Sequence, residues 1–166
     1  MQSPVVNHQQ GSTLIEVLIA LVIVAIGLLG FASLQMNSMQ RQEQAKSYQA
    51  AVQSLQELSE TISQETDLAV AGDFDFAGLA GATPTTVSCS DCSDSQRAQN
   101  LLSDWYQRMS ARLPSPRFAV ASQDLDDGRQ VTITLTWDAT LTGSGASTCD
   151  EVDSHQCHHL TFWVSS

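Results

Sequence analysis

The first third of the chain contains a long, uninterrupted apolar run. Residues 17–32, VLIALVIVAIGLLGFA, include no charged or polar side chain. With its flanks, residues 14–34, the run forms a helix of roughly 30 Å at about 1.5 Å per residue, which is the thickness of a bilayer's hydrocarbon core. The pattern therefore predicts a membrane-spanning helix. One carboxylate, Glu16, stands near its beginning, although a carboxylate deep in a bilayer costs about 2.5–3.5 kcal/mol.

The sequence after this run keeps a helical period but changes composition. Residues 35–64 are rich in Gln, Ala, Glu and Ser and contain neither Gly nor Pro. Their apolar side chains recur at steps of three and four, as on one face of a helix: Tyr48, Val52, Leu55, Leu58 and Ile62. We therefore expect one continuous helix, whose second half is amphipathic and packs on its own domain.

A loop and a second helix are predicted next. Residues 66–87 contain Pro84 and several glycines, which indicates a connecting loop with at most short turns. Ser93 or Asp94 then caps a helix that Pro114 stops. Its apolar face predicts core packing rather than a ligand site: Ala98, Leu101, Leu102, Trp105, Met109 and Leu113.

Three strand-like stretches complete the chain, at residues 117–122, 130–138 and 159–165. In the middle stretch apolar side chains alternate with threonines, which is typical of a strand with one solvent-exposed face. The intervening DLDDG, residues 124–128, resembles part of a calcium loop but lacks the downstream glutamate and the helical flanks, so we interpret it as a hairpin turn. The predicted fold class is α+β, a long N-terminal helix packed on a small antiparallel sheet with an additional helix.

Composition and charge argue against several classes of function. The 166 residues suit one compact domain plus the apolar segment, and 18 acidic against 7 basic residues give a formal net charge of −11. Such a charge repels a phosphate backbone, so no nucleic-acid binding is expected. The sequence shows no nucleophile with a base, no phosphate loop and no carboxylate pair, so we expect neither an enzyme nor a cofactor.

Three interpretations compete for the apolar segment. A secretory signal peptide is disfavoured because the first ten residues contain no Lys or Arg and the apolar run is too long. A plain single-span anchor leaves Glu16 unexplained. If the segment is a plain anchor, the alternative function from another class is a single-span periplasmic protein that binds a ligand.

The third interpretation rests on the motif GSTLIEV, residues 11–17, followed by the apolar helix. It resembles the class III signal of type IV pilins and of the pseudopilins of type II secretion, in which a membrane peptidase cuts after the glycine and methylates the new terminus. The resemblance implies cleavage after Gly11, N-methylation of Ser12 and a retained assembly carboxylate at Glu16. Ser12 and Glu16 are four apart and share a helix face, so a freed ammonium lies near the carboxylate. In a polymer, the ammonium of one subunit can pair with the glutamate of its neighbour.

The resemblance also implies a domain organisation. The expected segments are a removed leader, a transmembrane or filament-core half-helix, an amphipathic half-helix and a periplasmic globular domain with a C-terminal antiparallel sheet, at residues 1–11, 12–34, 35–64 and 65–166.

Four cysteines form two close pairs, Cys89 with Cys92 and Cys149 with Cys157. In an oxidising compartment they are expected as disulfides with three connectivities open, of which we favour local pairing. The second pair is placed similarly to the C-terminal disulfide loop of type IV pilins. Nitrogen and sulfur ligands also cluster there, at His155, Cys157, His158 and His159. We expect no metal, because adjacent strand residues point to opposite faces and a disulfide consumes the thiol.

Taken together, the chain most resembles the PilV-type minor pilins of Gram-negative bacteria. The resemblance implies a prepilin peptidase substrate held in the inner membrane by a single span, with its globular domain in the periplasm. Its partners would be other minor pilins and the major pilin, contacted through the N-terminal helix. It would prime pilus assembly, be able to remain in the fibre, and support twitching motility, adhesion or DNA uptake. The alternative within the family is a minor pseudopilin of a type II secretion system.

Overall fold

The long helix predicted from the sequence is present. In this computed structural model, which describes residues 14–138, 149 and 157–165, helix α1 runs without interruption over Leu14–Gln64. The chain divides into two compact units, Met1–Gln42 and Glu43–Ser166. The remaining elements are helices α2 (Thr66–Ala71) and α3 (Asp94–Ser110) and strands β1 (Phe76–Ala77), β2 (Arg117–Leu125), β3 (Gly128–Thr136) and β4 (Cys157–Ser165).

The buried face of α1 lies within the Glu43–Ser166 unit. It consists of Ala51, Ser54, Leu55, Leu58 and Ile62. The predicted stripe is therefore correct in its C-terminal part, whereas Tyr48 is 39% exposed and Val52 is only half-buried. At 3.6 residues per turn, Val52 lies roughly 90° from the centre of the buried face, which explains the difference.

The prediction of a loop over residues 66–87 is wrong for two stretches. Residues 66–71 form the short helix α2, which buries Leu68 and ends at Gly72 in the left-handed conformation, with φ of 81°. Strand β1 follows and pairs with β2. Both elements are too short to be stable alone, and burial and cross-strand pairing stabilise them.

Helix α3 confirms the second predicted helix and one of its two candidate caps. The Ser93 side chain accepts a hydrogen bond from the Gln96 backbone, and the Gln96 side chain accepts one from the Ser93 backbone, which is a capping box. The helix ends at Ser110, before Pro114, and the backbone N–H groups of Arg112 and Leu113 both donate to the Met109 carbonyl.

The strands form one antiparallel sheet in the order β1-β2-β3-β4. Leu125 pairs with Gly128, so only Asp126 and Asp127 form the turn between β2 and β3, which confirms the predicted hairpin. The Asp124 carboxylate accepts a hydrogen bond from Arg129 Nε at 2.7 Å, an interaction that ties the two strands together.

The hydrophobic core fills the space between one face of this sheet and helices α1 and α3. Its largest fully buried side chains include Trp105, Trp137 and Phe118. The Phe118 ring stacks on Phe76 at 4.7 Å and meets the Trp105 ring edge-on at 4.9 Å. Trp105 and Met109 are therefore core residues, as their helical spacing predicts.

Candidate functional site

The first candidate site is the beginning of α1, where Glu16 occupies the first helical turn. Glu16 is exposed, and its side chain is the only charged one between residues 14 and 40. The first backbone N–H groups of a helix have no partner within that helix and give this end a partial positive charge. A carboxylate in the first turn is favoured by that charge, so α1 can hold Glu16 as an anion at its end.

The surface that follows Glu16 is apolar on every side. The large apolar side chains from Leu14 to Leu34 are between 49 and 91% exposed. In the part of the chain that the structure describes, α1 is the one helix long and apolar enough to cross a membrane. Proteins seldom leave so much contiguous apolar surface in water, which indicates that lipid or other apolar helices cover it.

The two other residues of the predicted processing site, Gly11 and Ser12, lie outside the described residues. The proximity of the Ser12 nitrogen to the Glu16 carboxylate therefore stays a prediction from their spacing of four.

The cysteines lie in close pairs within the Glu43–Ser166 unit. The Cα atoms of Cys89 and Cys92 are 5.3 Å apart, those of Cys149 and Cys157 are 5.4 Å apart, and the sulfurs of each pair are joined. Both Cα separations fall in the usual range for disulfides. The second pair is placed where β4 begins, so it ties Cys149 to the sheet.

The loop that carries the first cysteine pair is also attached to α3 by side chains. The Asn100 amide accepts a hydrogen bond from the Val87 N–H at 2.7 Å and donates one to the Val87 carbonyl at 3.0 Å. The hydroxyls of Thr86 and Ser103 lie 2.8 Å apart. These contacts hold the loop independently of the Cys89–Cys92 bond, and sequence spacing carries no signal for them.

Of the histidines considered as metal ligands, the two described ones, His158 and His159, are adjacent on β4 and belong to opposite faces of the sheet, with their ring centroids 6.4 Å apart. His155 lies outside the described residues. His158 pairs with Leu135 and its ring lies 5.6 Å from that of Tyr48, whereas His159 pairs with Thr134 and is exposed. No group of three or more His, Cys, Asp or Glu side chains suited to a metal ion occurs among the residues described.

A cleft of about 300 Å³ lies between the β1 region and α3, and its polar lining includes Asp73, Asp75, Ser95 and Gln99. None of the lining residues is a histidine, cysteine or lysine. The cleft therefore lacks the serine–histidine pair that is typical of an activated serine nucleophile.

Comparison with known proteins identifies the N-terminal signal. Residues 6–32 match the family described as prokaryotic N-terminal methylation motif. Neither a curated protein nor a solved structure matches the chain. The chain thus carries a type IV pilin-like signal, together with an α+β fold like that of type IV pilins.

The match supports a type IV pilin-like protein, whether of a pilus or of a pseudopilus, and points to a structural protein rather than an enzyme. The signal implies processing by prepilin peptidase and assembly with other pilins. With the long apolar helix, it fits an inner-membrane anchor.

Proposed function

We propose that this chain is a minor pilin of the type IV pilus, of the PilV type, which primes pilus assembly. Prepilin peptidase removes residues 1–11 by cutting after Gly11 and methylates the new terminus at Ser12. Residues 12–34 then anchor the chain in the inner membrane and later enter the helical core of the filament, while the globular domain lies in the periplasm. Incorporation in the fibre would let the subunit support twitching motility, adhesion or DNA uptake.

The observation that carries the proposal is that the described residues of the matched motif are also exposed in the structure. The methylation motif covers residues 6–32, and the same stretch contains Glu16 followed by an apolar surface exposed on all sides. A simple anchor would account for the apolar surface but would not require a carboxylate at its beginning. Assembly with similar helices accounts for both, because the partner supplies the apolar cover and the counter-charge.

The role of Glu16 follows from electrostatics in an apolar environment. A carboxylate taken out of water is stable only with a partner, and the methylated ammonium of a neighbouring subunit is the natural one in this setting. Because the next charged side chain along the described helix is Arg41, no side-chain cation of the same subunit's apolar segment can take that place. The ion pair would thereby set the axial register of each subunit on the next.

The cysteines support the assignment of the globular domain to an oxidising compartment. Two close cysteine pairs with disulfide geometry are typical of periplasmic and secreted proteins. Four cysteines also favour a minor pilin over the minor pseudopilin of a type II secretion system, the second candidate, whose soluble domain is typically poorer in cysteine.

A single-span periplasmic ligand-binding protein is the candidate from another class. The cleft that contains Asp73 and Asp75 is the feature that would serve it. That candidate predicts an uncut chain, since a ligand-binding protein of this kind does not require cleavage by prepilin peptidase.

Mass spectrometry of the full chain extracted from membranes tests the proposal. In cells that contain prepilin peptidase, we expect the mature protein to begin at Ser12 and to carry one added methyl group. In cells without the peptidase the same protein should keep residues 1–11. An uncut chain in the presence of the peptidase would overturn the proposal and favour the ligand-binding protein.

A further inference from the structure

Strand β4 forms one edge of the sheet. It pairs with β3 on one side, and no other described strand lies on its second side. Apart from the ladder with β3, no backbone hydrogen bond among the described residues involves β4. An edge of this kind presents a row of N–H and C=O groups that can pair with a further strand.

The hairpin turn determines which β4 residues form that row. Leu125 and Gly128 flank a two-residue turn and so form a hydrogen-bonded pair, after which bonded and non-bonded pairs alternate along an antiparallel ladder. The β3 residues whose backbone groups do not form hydrogen bonds with β2 form them with β4 instead. Ile133 is one of these residues, and its partner on β4 is Leu160. The β4 residues that alternate with these bonded residues point their backbone N–H and C=O groups away from β3. They include His159, Thr161 and Trp163.

The β4 edge lacks the features that usually prevent strand addition. Its nine residues, CHHLTFWVS, include no Asp, Glu, Lys, Arg, Pro or Gly. Proteins commonly protect exposed edges with charges, prolines, bulges or very short strands. At the opposite side of the sheet, the two-residue strand β1 covers part of β2, and the uncovered end of β2 carries Asp124 close to the acidic turn. Among the described residues, one edge of the sheet is therefore protected and the β4 edge carries no such protection.

The side chains beside the edge define what an added strand must offer. On the core side, Leu160 and Phe162 are only half-buried, so an apolar side chain opposite them would complete their cover. On the outer side Thr161 is exposed and Trp163 is 45% exposed. A fitting strand alternates apolar residues, which face the core side, with small polar residues, which face outward.

We propose that the β4 edge binds an extended segment of a different polypeptide, with alternating apolar residues and positively charged flanks. The charge follows from the formal net charge of −11, which attracts a cationic segment and repels a second copy of this chain. Recognition is by β-strand addition, in which backbone hydrogen bonds supply affinity and alternate side chains supply specificity. The proposal goes beyond helix-mediated assembly and does not depend on Glu16.

The test uses the full chain in detergent and a blocked, fluorescent peptide in which valine alternates with threonine between lysine-rich ends. Two substitutions of one residue are compared. Thr161→Pro removes an outward N–H but no bond to β3, and proline is tolerated on an edge when its nitrogen faces away from the sheet. Thr161→Val keeps the N–H. Both lose the hydroxyl contact between Thr161 and Thr132, so they are matched in that respect.

We expect the wild type and Thr161→Val to bind the peptide alike in fluorescence anisotropy, and Thr161→Pro to bind at least about tenfold more weakly. A peptide methylated on its backbone nitrogens should not bind, which tests the ladder without changing the protein. Glu16→Leu should bind as the wild type does, so failure of the proposed pilin function leaves this result unchanged.

Three outcomes would overturn the proposal. The first is equal binding by Thr161→Pro and wild type, and the second is absence of binding by wild type. The third is a wild-type dimer in sedimentation that Thr161→Pro abolishes, because the edge would then accept a second copy. Equal affinity for a peptide with glutamate-rich ends would overturn its electrostatic part.

Discussion

The Trp105 indole Nε1 donates a hydrogen bond to the Ser54 carbonyl oxygen at 2.8 Å, across 51 positions of sequence. Both residues are buried, each with 1% of its surface exposed. The same indole meets the Phe118 ring edge-on, so one side chain joins α1, α3 and the sheet. The tryptophan thus places the second half of the long helix against the rest of the globular unit.

Replacement of Trp105 by alanine is expected to lower the free energy of unfolding by about 3–5 kcal/mol, through the cavity and the lost contacts. Trp105→Phe keeps most of the ring but loses the donor, and should cost about 1–2 kcal/mol. Chemical denaturation of the full chain in detergent measures both. Trp163→Ala is the control, because that ring is 45% exposed and its loss should cost under about 1 kcal/mol. Equal losses for Trp105→Ala and Trp163→Ala would contradict the central role of Trp105.

Much of this core could be predicted from the sequence because it follows local periodicity. Spacings of three and four identified most of the buried face of α3, and alternation identified β3. The cap at Ser93 and the turn at Asp126 also carry short-range signals, since capping residues and hairpin turns have recognisable compositions.

The elements that sequence analysis missed depend on distant partners. Strand β1 consists of Phe76 and Ala77 and exists only because β2 pairs with it. Helix α2 has six residues and is stabilised by the burial of Leu68, although the left-handed Gly72 at its end is a signal that could have been used. The contacts of Asn100 with Val87 likewise join residues 13 positions apart, which no periodicity reports.

In the candidate site, too, some features follow from local sequence and others do not. The position of Glu16 at the beginning of an apolar helix follows from the sequence motif and is found in the structure. Gly11 and Ser12 lie outside the described residues, so their roles stay predictions. The position of β4 at the edge of the described sheet could not be predicted, because which strand ends a sheet depends on tertiary topology.

The cysteine pairs are expected to be disulfides in the mature protein. A peptide map without reduction should link Cys149 to Cys157 and Cys89 to Cys92. Loop-closure entropy predicts that Cys149→Ser with Cys157→Ser lowers the free energy of unfolding by about 2.5 kcal/mol, since the bond spans 8 positions. The matched double substitution at the first pair should cost less, because Asn100 also holds that loop. Free thiols or a stoichiometric zinc ion would contradict this assignment.

Gly11→Val is expected to leave an uncut precursor, because the peptidase of this family cuts after the glycine and a branched side chain obstructs that bond. The measurement is the mass of the membrane-extracted chain. Gly30→Val introduces the same side chain into α1 at a position where an added Cβ meets no atom within 4 Å. The Gly30 variant should mature normally, which separates a processing defect from a general effect of valine. Normal maturation of Gly11→Val would show that the motif is not a cleavage signal here.

Glu16→Leu tests the assembly role of the carboxylate. Under the proposed pairing, leucine removes one charge of a buried pair and leaves the neighbouring ammonium without a partner, which typically costs about 3–5 kcal/mol. The cost arises in the assembled state, because an isolated subunit can keep its terminus near the membrane interface. The variant should therefore insert, be cleaved and form its disulfides, yet fail to enter the fibre. Glu16→Asp keeps the charge on a shorter side chain and should assemble in part.

Co-purification of the mature chain with the major pilin, together with a count of surface pili, distinguishes these outcomes. Glu60→Leu provides the matched control, since Glu60 is an exposed carboxylate on the same helix but in the globular unit. We expect Glu60→Leu to assemble as the wild type does, because Glu60 lies outside the apolar segment through which the subunits are proposed to assemble. Leucine suits a bilayer better than glutamate, so a defect of Glu16→Leu in insertion would not be evidence for the pairing. Normal incorporation of Glu16→Leu would show that the carboxylate has no role in assembly, and α1 would then be a simple membrane anchor.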